Sequence, residues 1–479
     1  MTDKPSTTTD TTVDYATSSK GKGLPMVAQW DPGQLAAEET LLAELQSKPF
    51  TQRFKGYMKL TGPGWLQSAM TLGGGSAAAS VVAGYGYGYD LLWVQPLAMI
   101  AGVIMLAAIG NAVLATGERP YGAIQREVHP SVAFLWGLAT LAASIIWHFP
   151  QYGLAAAAVA DLSQGAGASE AAVMPIKWIT GGVVLGLAVV VTWSYGSNAA
   201  GVRFYESAMR WAVRLIIAAF LIVVIASAAR GHIDYAAVAR GFYAFRIPEG
   251  STTVILGAFG AAVGINMTFL YAYSLLAKGW GRHHRGLARA DLTMSLFVPY
   301  IVTTTLIVIA IASTREQIAT TLDDPTKLSP ITAAGALQTV FGGAFGRIIF
   351  DIGLVGFAAT SITTHMVVCG FAACEMFGLE YTVQRFRMFS LLPAVGVIGV
   401  AFQSPFWAPI VASAICLPML LIAYGAFYVL NNKKRYMGDR LAVGSKRWAF
   451  NGLMLAAIAL TCAGIAIKFK AGVIDQLMP

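Results

Sequence analysis

Charge and cysteine are both scarce in these 479 residues. Only 12% of the positions are Asp, Glu, Lys or Arg, and there are four cysteines. Cys369, Cys374, Cys416 and Cys462 offer neither a disulfide framework nor a paired CxxC zinc site, so buried free thiols are expected. Also missing are a GxSxG, an HExxH and a P-loop, which leaves no support for a membrane enzyme or an ATP-driven pump and calls for no cofactor. No repeated filter or ring of charge suggests a channel. The start lacks the basic segment followed by an apolar core that marks a signal peptide.

What is present is apolar. Hydrophobic residues make up 56% of the chain and mean hydropathy is +0.62. Runs long enough to cross ~30 Å of hydrocarbon recur at roughly 63–84, 90–115, 132–160, 174–193, 205–229, 252–277, 293–313, 345–375, 387–403, 406–430 and 449–467. This pattern predicts an all-α polytopic membrane protein with eleven transmembrane helices. Residues 1–50 read as a largely disordered tail rich in Thr, Ser and Asp, with one short amphipathic helix over 34–47. Basic residues crowd the N-terminal flank (Lys48, Arg53, Lys55, Lys59) and the even-numbered gaps, as in Lys278 to Arg289 and Lys433 to Arg447. The positive-inside rule therefore places the N-terminus in the cytoplasm and the C-terminus outside. Arg230, Arg240 and Arg246, in one outer loop, run against that bias. The net charge of +9 follows from loop residues beside spans and is no argument for nucleic acid.

Glycine carries the functional signal. Gly73, Gly74 and Gly75 interrupt the first span, each costing roughly 1 kcal/mol against alanine in a helix interior. In the sixth span, Gly257, Gly260 and Gly264 precede Asn266 and Thr268. Backbone cannot stay unpaired in lipid, so such a break is buried in protein or lines a cavity. Two breaks five spans apart are the pattern of an inverted repeat: helices 1–5 (residues 51–230) correspond to helices 6–10 (250–430), with a site between the two broken helices and a final helix in 445–479. Tight packing of small residues is the competing account. Ser76, just past the glycines, is the hydroxyl best placed for a solute.

Polar residues at membrane depth are further candidates. In the third span His148 and Gln151 share a helix face if Pro150 only kinks the helix; His148 is either a proton carrier or a satisfied packing residue. The eighth span holds Thr360, Ser361, Thr363, Thr364 and His365, either a wet face or hydroxyls bonded back to their own helix. Asp351 reads as an ion-pair partner of a basic group.

Several segments resemble the NRAMP family of proton-coupled divalent-metal transporters. They are Gly62-Pro63-Gly64, Gly88 to Val94, Ala115-Thr116-Gly117, Ser295 to Val298, Cys369-Gly370 through Glu375, Arg387 and Leu417-Pro418, within a match over about 55–468. The resemblance implies a LeuT-type fold and secondary transport by alternating access, with a metal ion as cargo and protons as coupling ion. It also implies departures. The first-span Asp-Pro-Gly-Asn of the family falls here on Gly73, Gly74, Gly75 and Ser76, and the sixth-span Met-Pro-His on Gly264, Ile265 and Asn266. The tenth-span glutamines fall on Ile410 and Cys416, the acidic pair of the third span on His148 and Gln151, and only Ala261 has a like-for-like counterpart. The expected binding residues are thus Gly73, Gly74, Gly75, Ser76, Ala261, Gly264 and Asn266, with His148, Gln151 and Arg387 on a proton path. Such a site suits a hydrated cation or a small organic solute better than a dehydrated transition metal. A retained metal activity in an altered site, and a membrane sensor or scaffold that no longer transports, are the alternatives. Eleven spans enclose a site within one subunit, so the expected unit is a monomer in the cell membrane.

Overall fold

The computed structural model describes residues 31–315, 328–330, 332–334, 344–401 and 406–469; of the expected tail over 1–50, residues 1–30 lie outside them. The described residues form helices α1 (Pro32–Gln46), α2 (Phe50–Leu60), α3 (Pro63–Thr71), α4 (Gly74–Tyr87), α5 (Val94–Thr116), α6 (Pro120–Glu127), α7 (Pro130–Gly165), α8 (Val173–Tyr195), α9 (Ala199–Ala229) and α10 (Tyr235–Tyr243). They continue with α11 (Thr252–Ala262), α12 (Ile265–Ala277), α13 (Arg285–Asp291), α14 (Val298–Ala312), α15 (Phe345–Met376), α16 (Val383–Ser390), α17 (Trp407–Cys416), α18 (Leu420–Asn432), α19 (Lys434–Met437) and α20 (Gly444–Phe469). Ten of the resulting elements are long and apolar enough to cross a membrane. The expected first span is an eleventh, split into α3 and α4 of 9 and 14 residues.

Proline shapes several spans. α7 runs unbroken for 36 residues through Pro150. Ahead of Pro299, a π-helical turn over Leu292–Phe297 joins α13 to α14, absorbing the amide that proline lacks. The ninth span finishes as a 3₁₀ stretch, Leu392–Ala401, and Pro418 puts a 3₁₀ turn between α17 and α18.

The sixth span is also broken, between α11 and α12, so the interruptions stand five spans apart. Every residue of α3 is buried, as are those of α4 through Tyr85. The first span is therefore caged on all sides, while α8, α9 and α20 leave large apolar residues such as Leu187, Leu215 and Leu453 outside.

On the face that holds the N-terminal helices, the start of α3 is clamped. The Gly64 amide donates to Asp291 Oδ2 at 2.6 Å, and Arg210 donates to the Thr61 carbonyl at 2.7 Å. Lys278 pairs with Glu206 at 3.1 Å, both side chains about 5% exposed. A Cβ on Gly62 would stand 2.6 Å from Glu206 Oε1, which explains glycine there. α1 closes over this cluster. It buries Leu35, Glu38, Leu42 and Leu45 along one face, and Glu38 accepts from Trp280 Nε1 at 3.3 Å. This is the short helix expected over 34–47. On the other face, Arg246 lies 3.7 Å from Asp90.

Two expectations need correction. Cys462 is exposed, whereas Cys369, Cys374 and Cys416 are buried; all four are free thiols. Asp351 does not take the basic group beside it. Arg347 forks onto Asp161 instead, with Nε to Oδ2 at 2.8 Å, and both Asp351 oxygens lack a hydrogen-bond partner.

Candidate functional site

The two breaks face each other. Leu72 and Gly73 interrupt the first span and Val263 and Gly264 the sixth, and Gly73 and Gly264 are both extended with negative φ. Glycine is therefore not needed there for a left-handed backbone; it is needed for space. A Cβ on Gly73 would collide with the Ser361 side chain, and one on Gly75 with the Trp147 ring. Of the three glycines only Gly73 lies outside helix, since Gly74 and Gly75 already belong to the first turn of α4.

Between the breaks is a small cavity. Met70, Thr71, Gly75 and Ser76 line it from the first span, and Gly260, Ala261, Gly264, Asn266 and Met267 from the sixth. Trp147 and Gln151 of α7 and Ser361 and His365 of α15 complete the wall. All these residues are buried, so the cavity lies in the interior of the bundle. None is acidic and none is a thiol. No group of three or more His, Cys, Asp or Glu placed to hold a metal ion occurs among the described residues.

Most acceptors around the cavity already have a donor. Thr71 Oγ1 donates to the Ala262 carbonyl at 2.6 Å and to that of Ala261 at 3.1 Å. Ser361 donates to the Met70 carbonyl at 3.3 Å. Gln151 Oε1 accepts the Gly74 amide at 2.9 Å, and Asn266 Oδ1 accepts the Met267 amide at 3.0 Å. Two amide donors are left over, Gln151 Nε2 and Asn266 Nδ2, both buried without partners, and the His365 ring nitrogen Nδ1 is unpartnered as well. The Ser76 hydroxyl lies toward the Tyr300 phenol without completing a hydrogen bond.

The structure thus brings Gly75, Ser76, Ala261, Gly264, Asn266 and Gln151 to one cavity. Gly73 and Gly74 stand just behind it, shaping the break. His148 is set back from the wall, with Nε2 3.2 Å from the Ile362 carbonyl and its ring centroid 5.5 Å from that of His365. Arg387 is elsewhere, its guanidinium over the Trp193 ring at 5.4 Å. Ile410 packs against Gly257, and neither it nor Cys416 lines the cavity.

Sequence reasoning did not select Met70, Thr71, Trp147, Gly260, Met267, Ser361 or His365 for the site. Ser361 and His365 carried a signal as members of the polar run in α15. Within that run Thr360, Thr363 and Thr364 bond back to their own helix, so only two of the five polar residues face the cavity.

A family model described as natural resistance-associated macrophage protein-like matches residues 64–467. The chain belongs to the Nramp family. This Nramp chain is 24% identical over 451 residues to the divalent metal cation transporter MntH of Deinococcus radiodurans, across 91% of its own length and 95% of the relative's. Its fold is similar to that of a mutant manganese transporter from Eremococcus coleocola, with TM-score 0.66 and 15% identity over 90% of both chains. It is also similar to Mhp1, a nucleobase-cation-symport-1 family transporter, with TM-score 0.56 and 14% identity over 85% and 92%. MhsT in complex with L-phenylalanine gives 0.55 and 14% over 84% and 98%. At these identities the likeness is one of fold. The Nramp chain is a multi-pass membrane protein of LeuT type, and the relatives named here are transporters.

Proposed function

We propose that this Nramp chain is a secondary transporter working by alternating access, with its solute held in the buried cavity between the two helix breaks. The observation that carries this reading is the pair of breaks facing one polar, buried cavity at the centre of the bundle. Interrupted helices are the usual way such folds offer backbone to a solute, and rocking of one repeat against the other then exposes it to either side. We take residues 51–230 and 250–430 as the two repeats and 445–479 as an added element. The even-numbered gaps face the cytoplasm with the N-terminus, and the C-terminus lies outside.

The expected solute is a hydrated cation or a small organic molecule rather than a dehydrated transition metal. A divalent ion stripped of water needs anionic or soft ligands. The wall has no carboxylate, and the carbonyls nearest the breaks already accept hydroxyls. Gly75, Ser76, Ala261, Gly264 and Asn266 are the proposed binding residues, with Gly73 and Gly74 holding the break open. Protons are the proposed coupling ion, carried by His148 through its neighbour His365; Gln151 serves the wall and the α4 cap. Arg387, stacked on Trp193, is kept as a more distant candidate.

One observation favours metal cargo. The thioethers of Met70 and Met267 belong to the wall, and a relative is a divalent metal cation transporter. Sulfur and carbonyls together make a softer site than the oxygens alone. Counterflow in proteoliposomes tests both: vesicles preloaded with unlabelled Mn²⁺ or with a panel of small organic solutes are offered the labelled form. Trans-stimulated uptake of an organic solute alone supports the first reading. Stimulation by Mn²⁺ alone replaces it with the second, and no exchange with any solute contradicts transport.

A further inference from the structure

The hydrogen-bond inventory of the cavity is one-sided. Two amide side chains reach it, and each has its oxygen committed to a backbone amide of a helix first turn: Gln151 Oε1 to Gly74 and Asn266 Oδ1 to Met267. Those bonds fix which end of each amide is which, because the backbone partner is a donor. The NH₂ groups are therefore the ends left for a ligand, and both are buried without a partner. His365 adds a third unpartnered ring nitrogen, and it is 2% exposed. Buried donors without acceptors are costly and rare, so the two amide groups at one cavity point to something that satisfies them.

The backbone has the same polarity. α4 and α12 both begin at the cavity, and they are 14 and 13 residues long. First-turn amides have no intrahelical acceptor, and each helix start carries roughly half a positive charge. The opposite ends, of α3 and α11, present carbonyls, and there the hydroxyls of Ser361 and Thr71 already donate. With no acidic side chain in the wall, the remaining field favours negative charge.

From this we infer that the cavity is a carboxylate site: it binds a small monocarboxylate whose two oxygens accept from Asn266 Nδ2, Gln151 Nε2 and the first-turn amides of α4 and α12. The inference rests on the transporter reading for the place of the cavity in a transport cycle, and it names the class of solute. The space between the breaks is small and limits the ligand to a few heavy atoms. Acetate is therefore the probe.

The experiment titrates the purified full-length protein with sodium acetate by calorimetry. Acetamide serves as the uncharged isostere, sodium chloride as the salt control and MnCl₂ as the metal control. The variants are Asn266→Asp and Gln151→Glu. Each keeps the oxygen that caps a helix and replaces the free NH₂ by a second anionic oxygen, and the melting temperature checks that the fold is retained. Saturable acetate binding is expected, absent with acetamide and chloride and weakened at least about tenfold in either variant. Asn266→Asp is also expected to gain Mn²⁺ affinity, since it introduces a carboxylate ligand. Acetate binding unchanged in both variants, or acetamide binding as well as acetate, overturns the inference. So does an absence of acetate heat.

The transport reading fails separately. Acetate that binds but does not exchange across proteoliposomes keeps the carboxylate site and sinks transport. Mn²⁺ exchange without acetate binding does the reverse.

Discussion

Gly64→Ala isolates the clamp at the start of α3. The amide of Gly64 donates to a buried carboxylate oxygen at 2.6 Å. A Cβ there would stand 2.7 Å from the Asp291 carbonyl oxygen and 2.8 Å from Oδ1. The first of these is backbone and cannot swing aside, so α3 has to move and the bond has to stretch. A hydrogen bond to a charged group is worth about 1.5–3 kcal/mol, which shifts a closed-to-open ratio by about 10- to 150-fold. The readout is labelling of Met70→Cys, on the cavity wall, by a soluble maleimide in a Cys462→Ser background; the other thiols are buried. Adding Gly64→Ala is expected to raise the labelling rate by about that factor without unfolding the protein. Asp291→Asn, which keeps an acceptor without the charge, should raise it less. An unchanged rate in a folded Gly64→Ala protein would refute the clamp.

Three further outcomes follow from the same geometry. Gly75→Ala pushes a methyl into the Trp147 ring and toward the Ala261 Cβ, 3.1 Å away, so overpacking of about 1–3 kcal/mol should weaken solute binding about 5- to 150-fold in titration. Arg347→Met leaves the buried Asp161 charge alone at a cost of about 3–5 kcal/mol, read as a lowered melting temperature that Asp161→Leu largely restores. In the loop helix α6, the hydrogen bond from Arg126 holds Glu127 below the usual carboxylate range, with Lys433 and Arg435 adding to it. The folded state thus favours the ionised form, and this contribution is present above the ordinary Glu value of about 4.3 and lost as pH falls through the lowered one. Glu127→Gln should flatten that part of the acid dependence of melting, modestly, because Arg126 is half exposed and screened.

Hydropathy located the spans because each lipid-crossing element must satisfy its own backbone, and glycine located the breaks because it is poor in helix interiors. The break itself was less legible. Gly73, Gly74 and Gly75 look equivalent in sequence, yet two of them are helical and are glycine because Gln151 and Trp147 press on them. That crowding comes from α7, far along the chain. The far walls of the site were legible only in part. His365 and Ser361 stand among threonines of the same polarity, and only the packing of α15 against α3 decides which side chains face inward. Arg387 shows the converse: a family match placed a residue in order along the chain, and the fold sets it against Trp193.

The proposed site is built from helix ends and amides rather than metal ligands. Calorimetric titration of the purified protein with Mn²⁺ tests that most directly. No saturable heat in the micromolar range is expected from such a site. Micromolar Mn²⁺ binding that disappears on replacing Gly264 by leucine would contradict it, and would mean that carbonyls and thioethers suffice to hold the ion.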